Sequence, residues 1–235
     1  MRNYRTGKGP FGERPYFTVE EIERLCTDEL CKQGLYPSKP EPIRIERFIE
    51  KRFGVTPMYE ELPEGILGFT RFGAKGVESV VVARTLADDG GKTAERRIST
   101  TLAHEAGHGL LHAYLFVLKE QAASLFGADF DSKSPRILCR DDSRSSLGAP
   151  KYDGNWWEFQ ANQTIGALLL PKELAMSSLD SLLTSVGSLG IRTIKPESRA
   201  KAVKVLAAVF NVNPAVAKIR LDQMFPEMEA GQLTL

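Results

Sequence analysis

Twice in the first third of the chain, apolar residues recur at helical spacing. Thr18-Val19-Glu20-Glu21 opens the first run as a capping box, in which the threonine hydroxyl and the glutamate three residues on satisfy each other's backbone donors. A helix from about Thr18 to Gln33, stopped at Gly34, is predicted. Tyr36 to Pro42 carries three prolines and reads as a linker. A second helix, with Ile45, Phe48, Ile49 and Phe53 for its apolar face, should run to Gly54. From Val55 the period changes. Ile66 to Phe72 and Val77 to Arg84 are short, rich in β-branched and aromatic residues, and separated by Gly73-Ala74-Lys75-Gly76, which predicts an antiparallel hairpin. Val80-Val81-Val82 does not alternate, so that strand should be covered on both faces. Asp88-Asp89-Gly90-Gly91 then reads as a flexible loop.

A helix is expected from near Thr93 or Ala94, with Ile98, Leu102, Ala106, Leu110, Ala113 and Val117 on a core-facing stripe and His104, His108 and His112 on another. Lys119 to Gly154 is a long mixed segment, read either as a lid or as an insertion with structure of its own. Asn155 should cap an apolar helix from Trp156 to Leu170, closed by Pro171, and a short helix follows from Lys172 to about Leu179. Leu206 to Leu221 reads as helix, tight turn, helix. The expected organisation is a flexible N-terminal arm over 1–17, a main domain over 18–180 with the insertion or lid at 119–154, and a helical C-terminal region over 181–235. The class is α+β, with a small, mainly antiparallel sheet packed on helices.

Lys and Arg total 31 against 30 for Asp and Glu, so a net charge of +1 gives no long-range attraction to nucleic acid or anionic membrane. The odd set Cys26, Cys31 and Cys139, with no C-x-x-C pair, argues against a disulfide framework and for a reducing compartment, hence a cytoplasmic location. The basic start, Met1 to Gly12, has no apolar core of the secretory type. The longest apolar stretch, Leu110 to Leu118, is about half of the roughly 18 residues that suggest a membrane span.

The chain's only three histidines lie within His104-Glu105-Ala106-Gly107-His108-Gly109-Leu110-Leu111-His112, and the first five residues spell H-E-x-x-H. On a helix, His104 and His108 stand one above the other and can offer two imidazole nitrogens to one metal ion. Glu105, beside the first ligand, is placed to take a proton from a water that the metal activates. A catalytic zinc site usually takes three protein ligands and keeps a fourth position open. The longer spacing H-E-x-x-H-x-x-G-x-x-H fails, because its glycine position is Leu111 and its last is Tyr114. His112 is about 12 Å of helix rise from His104, too far to share one ion comfortably, so it is read as a cleft residue or a support for a ligand. Tyr114 is a further cleft candidate. Glu158 can complete the set, with Asn162 four residues on holding a ligand in place. Spacing leaves a second role open for Glu158, as a capping residue three positions after Asn155.

His104-Glu105-x-x-His108-x-x-x-His112, followed by Glu158-x-x-Ala161-Asn162 and Leu168-Leu169-Leu170-Pro171, resembles the ImmA/IrrE family of bacterial zinc metallopeptidases over about Ile43 to Leu179. The resemblance implies a zincin-like, gluzincin-type fold with Zn2+ held by His104, His108 and Glu158 and with Glu105 as general base. It also implies a protein substrate, typically a helix-turn-helix transcriptional repressor, cleaved within the chain. The stretch between His108 and Glu158 is longer than the family pattern, and Cys139 within it is read as an inert thiol rather than a metal occupant. By strand addition, an extended substrate would pair with the sheet at Val77 to Arg84. The C-terminal helices are similar to the helix-turn-helix-like tail of several relatives. Arg199, Lys201, Lys204, Lys218 and Arg220 make phosphate contacts conceivable there, but packing is favoured over direct DNA binding. The alternative from another class is a non-cleaving regulatory binding protein that keeps the peptidase fold.

Overall fold

The computed structural model describes residues 2–5, 13–117, 136–140, 155–186 and 190–226, and over them the fold is α+β. Helix α1 (Val19–Lys32) starts on the capping box: the Glu21 N–H donates to the Thr18 hydroxyl at 3.2 Å and the Thr18 N–H to the Glu21 carboxylate at 2.8 Å. Glu29, buried on this helix, pairs with the exposed Lys32 and with Arg52 of the next helix. Burying Ile22 or Leu30 contributes about 1.5–3 kcal/mol each, so packing holds the helix in place. Helix α2 (Ile45–Phe53) buries Ile45, Phe48 and Ile49 and ends at Gly54, whose φ of +73° is left-handed and costs glycine nothing.

The main sheet takes strands β3 (Met58–Glu60), β4 (Ile66–Gly73), β5 (Gly76–Ala83) and β6 (Arg136–Arg140) in the order β3-β5-β4-β6. The predicted hairpin is β4–β5, antiparallel with Thr70 opposite Val80, while β3 runs parallel to β5. Val80, Val81 and Val82 are all buried, as their lack of alternation implied. Strand β5 is paired with β4 on one side and with β3 over Val81 to Ala83 on the other, so that part of Val77 to Arg84 offers no free edge to a substrate strand. Among the described residues the sheet's edges are β3 and β6. Strand β6 comes from the expected insertion or lid and pairs with β4, Thr70 opposite Ile137. The rest of 119–154, and the side chain of Cys139, lie outside the described residues.

Part of the expected arm is a hairpin. Strands β1 (Arg2–Arg5) and β2 (Glu13–Tyr16) pair antiparallel, with the Tyr4 and Tyr16 rings edge to face at 6.1 Å. Helix α3 (Arg84–Asp88) forms between β5 and the expected loop, of which Asp89 and Gly90 lie outside the helices. Helix α4 (Gly91–Leu111) carries His104 and His108, with His112 at its C-cap. From Thr101 to Gly109 it is buried on every side rather than along one stripe, because it runs between the sheet, α2 and helix α5 (Trp156–Leu169). Asn155 stands at the N-cap of α5 but makes no side-chain capping hydrogen bond.

After helix α6 (Lys172–Ser178), an antiparallel pair β7 (Leu183–Val186) and β8 (Ile191–Ile194) interrupts the region expected to be helical. Helices α7 (Pro196–Val209) and α8 (Pro214–Met224) follow, bent by 120° at a short turn, a geometry within the range of helix-turn-helix units. Their cations are largely committed to internal partners. Arg199 and Lys218 pair with Asp222, and Arg220, buried on α8, pairs with Glu23 of α1 and donates to the Leu170 carbonyl at 3.0 Å. Lys201 and Lys204 remain exposed. No single helix among the described residues is long and apolar enough to cross a membrane.

Candidate metal centre

The centre forms where α4 and α5 touch, and a glycine sets how closely they do. A Cβ on Gly107, the second x of H-E-x-x-H, would lie 2.1 Å from Thr164 Oγ1 and 3.2 Å from Ala161 Cα. Glycine there lets the two backbones approach until side chains from both helices share one space.

In that space His104 Nε2 and His108 Nε2 face each other at 2.9 Å, and Glu158 Oε2 lies 3.1 Å from the first and 3.7 Å from the second. Ligands at about 2.0–2.2 Å around a tetrahedral ion sit about 3.3 Å apart, so these spacings straddle what one cation requires. His104 and His108 keep 4% and 0% of their side-chain exposure and Glu158 keeps 26%, so the carboxylate is the solvent-facing member. Glu158 is therefore turned to the imidazoles rather than to the backbone N–H groups of its own helix.

The back of each imidazole is held. His104 Nδ1 donates to Asn162 Oδ1 at 3.0 Å, the support the sequence suggested. His108 Nδ1 lies 3.0 Å from His112 Nδ1, and His112 Nε2 lies 3.0 Å from Gln160 Oε1. His112 thus stands behind His108 and outside the converging group, as the helix rise implied. Burial holds His108 down to about 4, and burial together with the neighbouring His108 holds His112 down to about 3, so both are neutral at physiological pH. Burial pushes Glu158 up, but its contacts with His104 and His108 outweigh that and keep it ionised, well below the usual carboxylate range. Three atoms this close, all able to accept, need a positive charge among them. His104, His108 and Glu158 are the residues that could hold a metal ion.

Glu105 is fully buried on the same turn of α4. Its Oε2 accepts from the Thr70 hydroxyl of β4 at 2.6 Å, while Oε1 has no hydrogen-bond partner among the described residues. Burial lifts the carboxyl to about 7, against the pull of His104 and the Thr70 hydroxyl, with Glu158 adding to the rise. A buried carboxyl with one oxygen fixed, the other unpaired and its ionisation near neutrality has the properties of a general base.

Tyr114 is placed elsewhere. It lines a cavity of about 540 Å³ with Phe53, Lys75, Val77 and Leu110, and none of His104, His108 and Glu158 lines that cavity. Thr70, Gln160 and Thr164 were missed by sequence reasoning. Gln160 is two residues from Glu158, about 200° around the helix, so the Glu158–Asn162 stripe gave no reason to group it with them. No protein-family model and no curated protein matches the chain.

Proposed function

We propose that this protein is a zinc-dependent endopeptidase that hydrolyses a peptide bond within a specific regulatory protein, and that it is similar to the ImmA/IrrE metallopeptidases with their zincin-like fold. The observation that carries the reading is the convergence of two buried imidazole nitrogens and one carboxylate oxygen beside a buried carboxyl whose second oxygen has no partner among the described residues. Two imidazoles and a single carboxylate are a donor set suited to zinc, and three protein ligands leave a position open, which disfavours a purely structural site.

His104, His108 and Glu158 would hold the ion. Zinc bound there supplies Lewis acidity, polarising a carbonyl and bringing the pKa of a coordinated water to about 7. The protein's own part is the movement of a proton. Glu105, anchored through Oε2 by Thr70, takes a proton at its unpaired Oε1 and returns it to the leaving amine. Asn162 and His112 keep the ligand rings turned so that Nε2 faces the ion. An extended substrate pairing with the sheet would use a free edge, and β6, hydrogen-bonded to β4, is the edge strand nearer the strand that anchors Glu105. The resemblance points to a helix-turn-helix repressor as the substrate and to the cytoplasm as its place of action.

The test compares zinc-loaded wild type with Glu105→Gln against the host proteome, mapping new N-termini by mass spectrometry. Both should bind zinc at one equivalent, and only wild type should create cuts. Cuts that persist in Glu105→Gln would remove the base assignment. A variant that keeps full biological activity without cutting would favour the non-cleaving regulator.

A further inference from the structure

The two imidazoles are oriented by different means. His104 leans on one amide, whereas His108 stands at the end of a relay that begins outside α4 and α5. The Gln160 side-chain N–H donates to the backbone carbonyl of Pro15, in β2, at 2.7 Å. A carbonyl can only accept, so the amide is turned with its nitrogen toward Pro15 and its Oε1 toward His112. That oxygen also only accepts, so His112 carries its proton on Nε2 and donates across the 3.0 Å separation. A neutral imidazole has one N–H, which leaves His112 Nδ1 as an acceptor. It receives the Nδ1–H of His108 at 3.0 Å, and His108 Nε2 is left bare toward His104 and Glu158. Gln160, His112 and His108 are all buried, at 3%, 0% and 0%, so solvent offers the relay no substitute partner.

We propose that Gln160 is a positioning residue that selects the metal-binding tautomer of His108 through His112, and that the N-terminal hairpin, through the Pro15 carbonyl, holds that selection in place. The inference rests on the metal-site reading and adds a control to it. The β1–β2 hairpin, far from the histidines in sequence, belongs to the site by hydrogen bonding. Displacing it would free the Gln160 amide to rotate. An N–H presented to His112 would then reverse every donor and acceptor as far as His108, leaving a proton where the metal must bind.

The test has two independent readouts. In metal-free wild type labelled with 15N at histidine, two-bond proton–nitrogen correlations should show His112 protonated at Nε2 and His108 at Nδ1. In chelator competition, Gln160→Met, similar in volume but without the acceptor, should bind zinc roughly 10- to 100-fold more weakly. Gln163→Met, on the same helix as Gln160 but losing only the bond that Gln163 accepts from Gln223 of α8, should bind as wild type does. A wild-type His112 protonated at Nδ1, or a Gln160→Met variant that binds zinc as tightly as wild type, would overturn the proposal. Should Gln160→Met fail to fold, the wild-type spectrum decides. A wild type that takes up no zinc would instead sink the metal reading, and the spectrum would still test the relay.

Discussion

Replacing Gly107 by alanine should push the two ligand-bearing helices apart. The new methyl would stand 2.1 Å from Thr164 Oγ1, 3.1 Å from Thr164 Cβ and 3.2 Å from Ala161 Cα. The threonine cannot simply turn aside, because its hydroxyl donates to the Ala161 carbonyl at 2.7 Å and reaches Ala103 O at 3.3 Å. Losing such a bond costs about 1 kcal/mol. The contacts with Thr164 Cβ and the Ala161 backbone would remain tight whatever the hydroxyl did. Overpacking of this kind costs about 1–3 kcal/mol. Alanine gains about 1 kcal/mol over glycine in a helix interior, which offsets the lost hydrogen bond but not the overpacking. The net expectation is a loss of about 1–3 kcal/mol, or roughly 2–12 °C in Tm for a chain of this size. Zinc affinity should fall as well, since Glu158 moves with Ala161 while His108 adjoins the intruding methyl. Thermal unfolding of the metal-free protein and chelator competition read the two effects separately. Thr164→Ala added to Gly107→Ala removes the closest contact and should recover part of both, with a coupling of about 0.5–3 kcal/mol between the sites. A Gly107→Ala variant that melts higher than wild type and binds zinc unchanged would refute the idea that close helix approach assembles the centre.

The metal-free protein should lose stability as pH falls from about 6.5 to about 3. His108 and His112 are depressed in the fold, so the unfolded chain binds their protons first, and Glu158 adds a loss of the same sign at lower pH. Glu105 has the opposite sign, its raised ionisation favouring the fold in acid and losing that contribution as pH rises through about 7, so urea titrations should show the histidine losses only partly offset. Thr70→Val removes the one hydrogen bond on Glu105 Oε2, which should cost about 1–3 kcal/mol and move the acid limb of the pH–rate profile upward. An unmoved limb would detach Thr70 from the base. Glu23→Gln leaves the buried Arg220 guanidinium without its counter-charge and should destabilise by about 2–4 kcal/mol in urea unfolding, somewhat less than for a fully enclosed pair because Glu23 keeps some exposure.

What the sequence made legible, and what it hid, follows from how far each interaction reaches along the chain. The Thr18–Glu21 box and the glycine stop at Gly54 are local, and both are found where the residues predict them. His104 and His108 were legible because one helical turn converts their spacing directly into proximity. Glu158 was only half legible. Its stripe with Asn162 allowed a ligand and its distance from Asn155 allowed a cap, and the direction its carboxylate takes, toward His104 and His108, comes from a contact between helices that no local rule contains. Thr70 with Glu105, Gln160 with His112 and Gln160 with Pro15 span 35, 48 and 145 residues, so nothing near any of them marks its partner. The four-residue strands β1, β2, β7 and β8 are too short to establish a period, which is why an arm and an all-helical tail were expected there. The misread stripe on α4 has the opposite cause. A helix enclosed on all sides keeps a polar row only where the interior has a use for it, so burial of His104, Glu105, His108 and His112 at 3% exposure or less is the stronger signal of function. Desolvating four such groups is costly unless each has a partner, and Asn162, Thr70 and Gln160 partner the outward nitrogens and one carboxyl oxygen. His108 Nε2 and His104 Nε2 face each other in the shared space, and Glu105 Oε1 has no hydrogen-bond partner among the described residues; these are the atoms the proposed chemistry would employ.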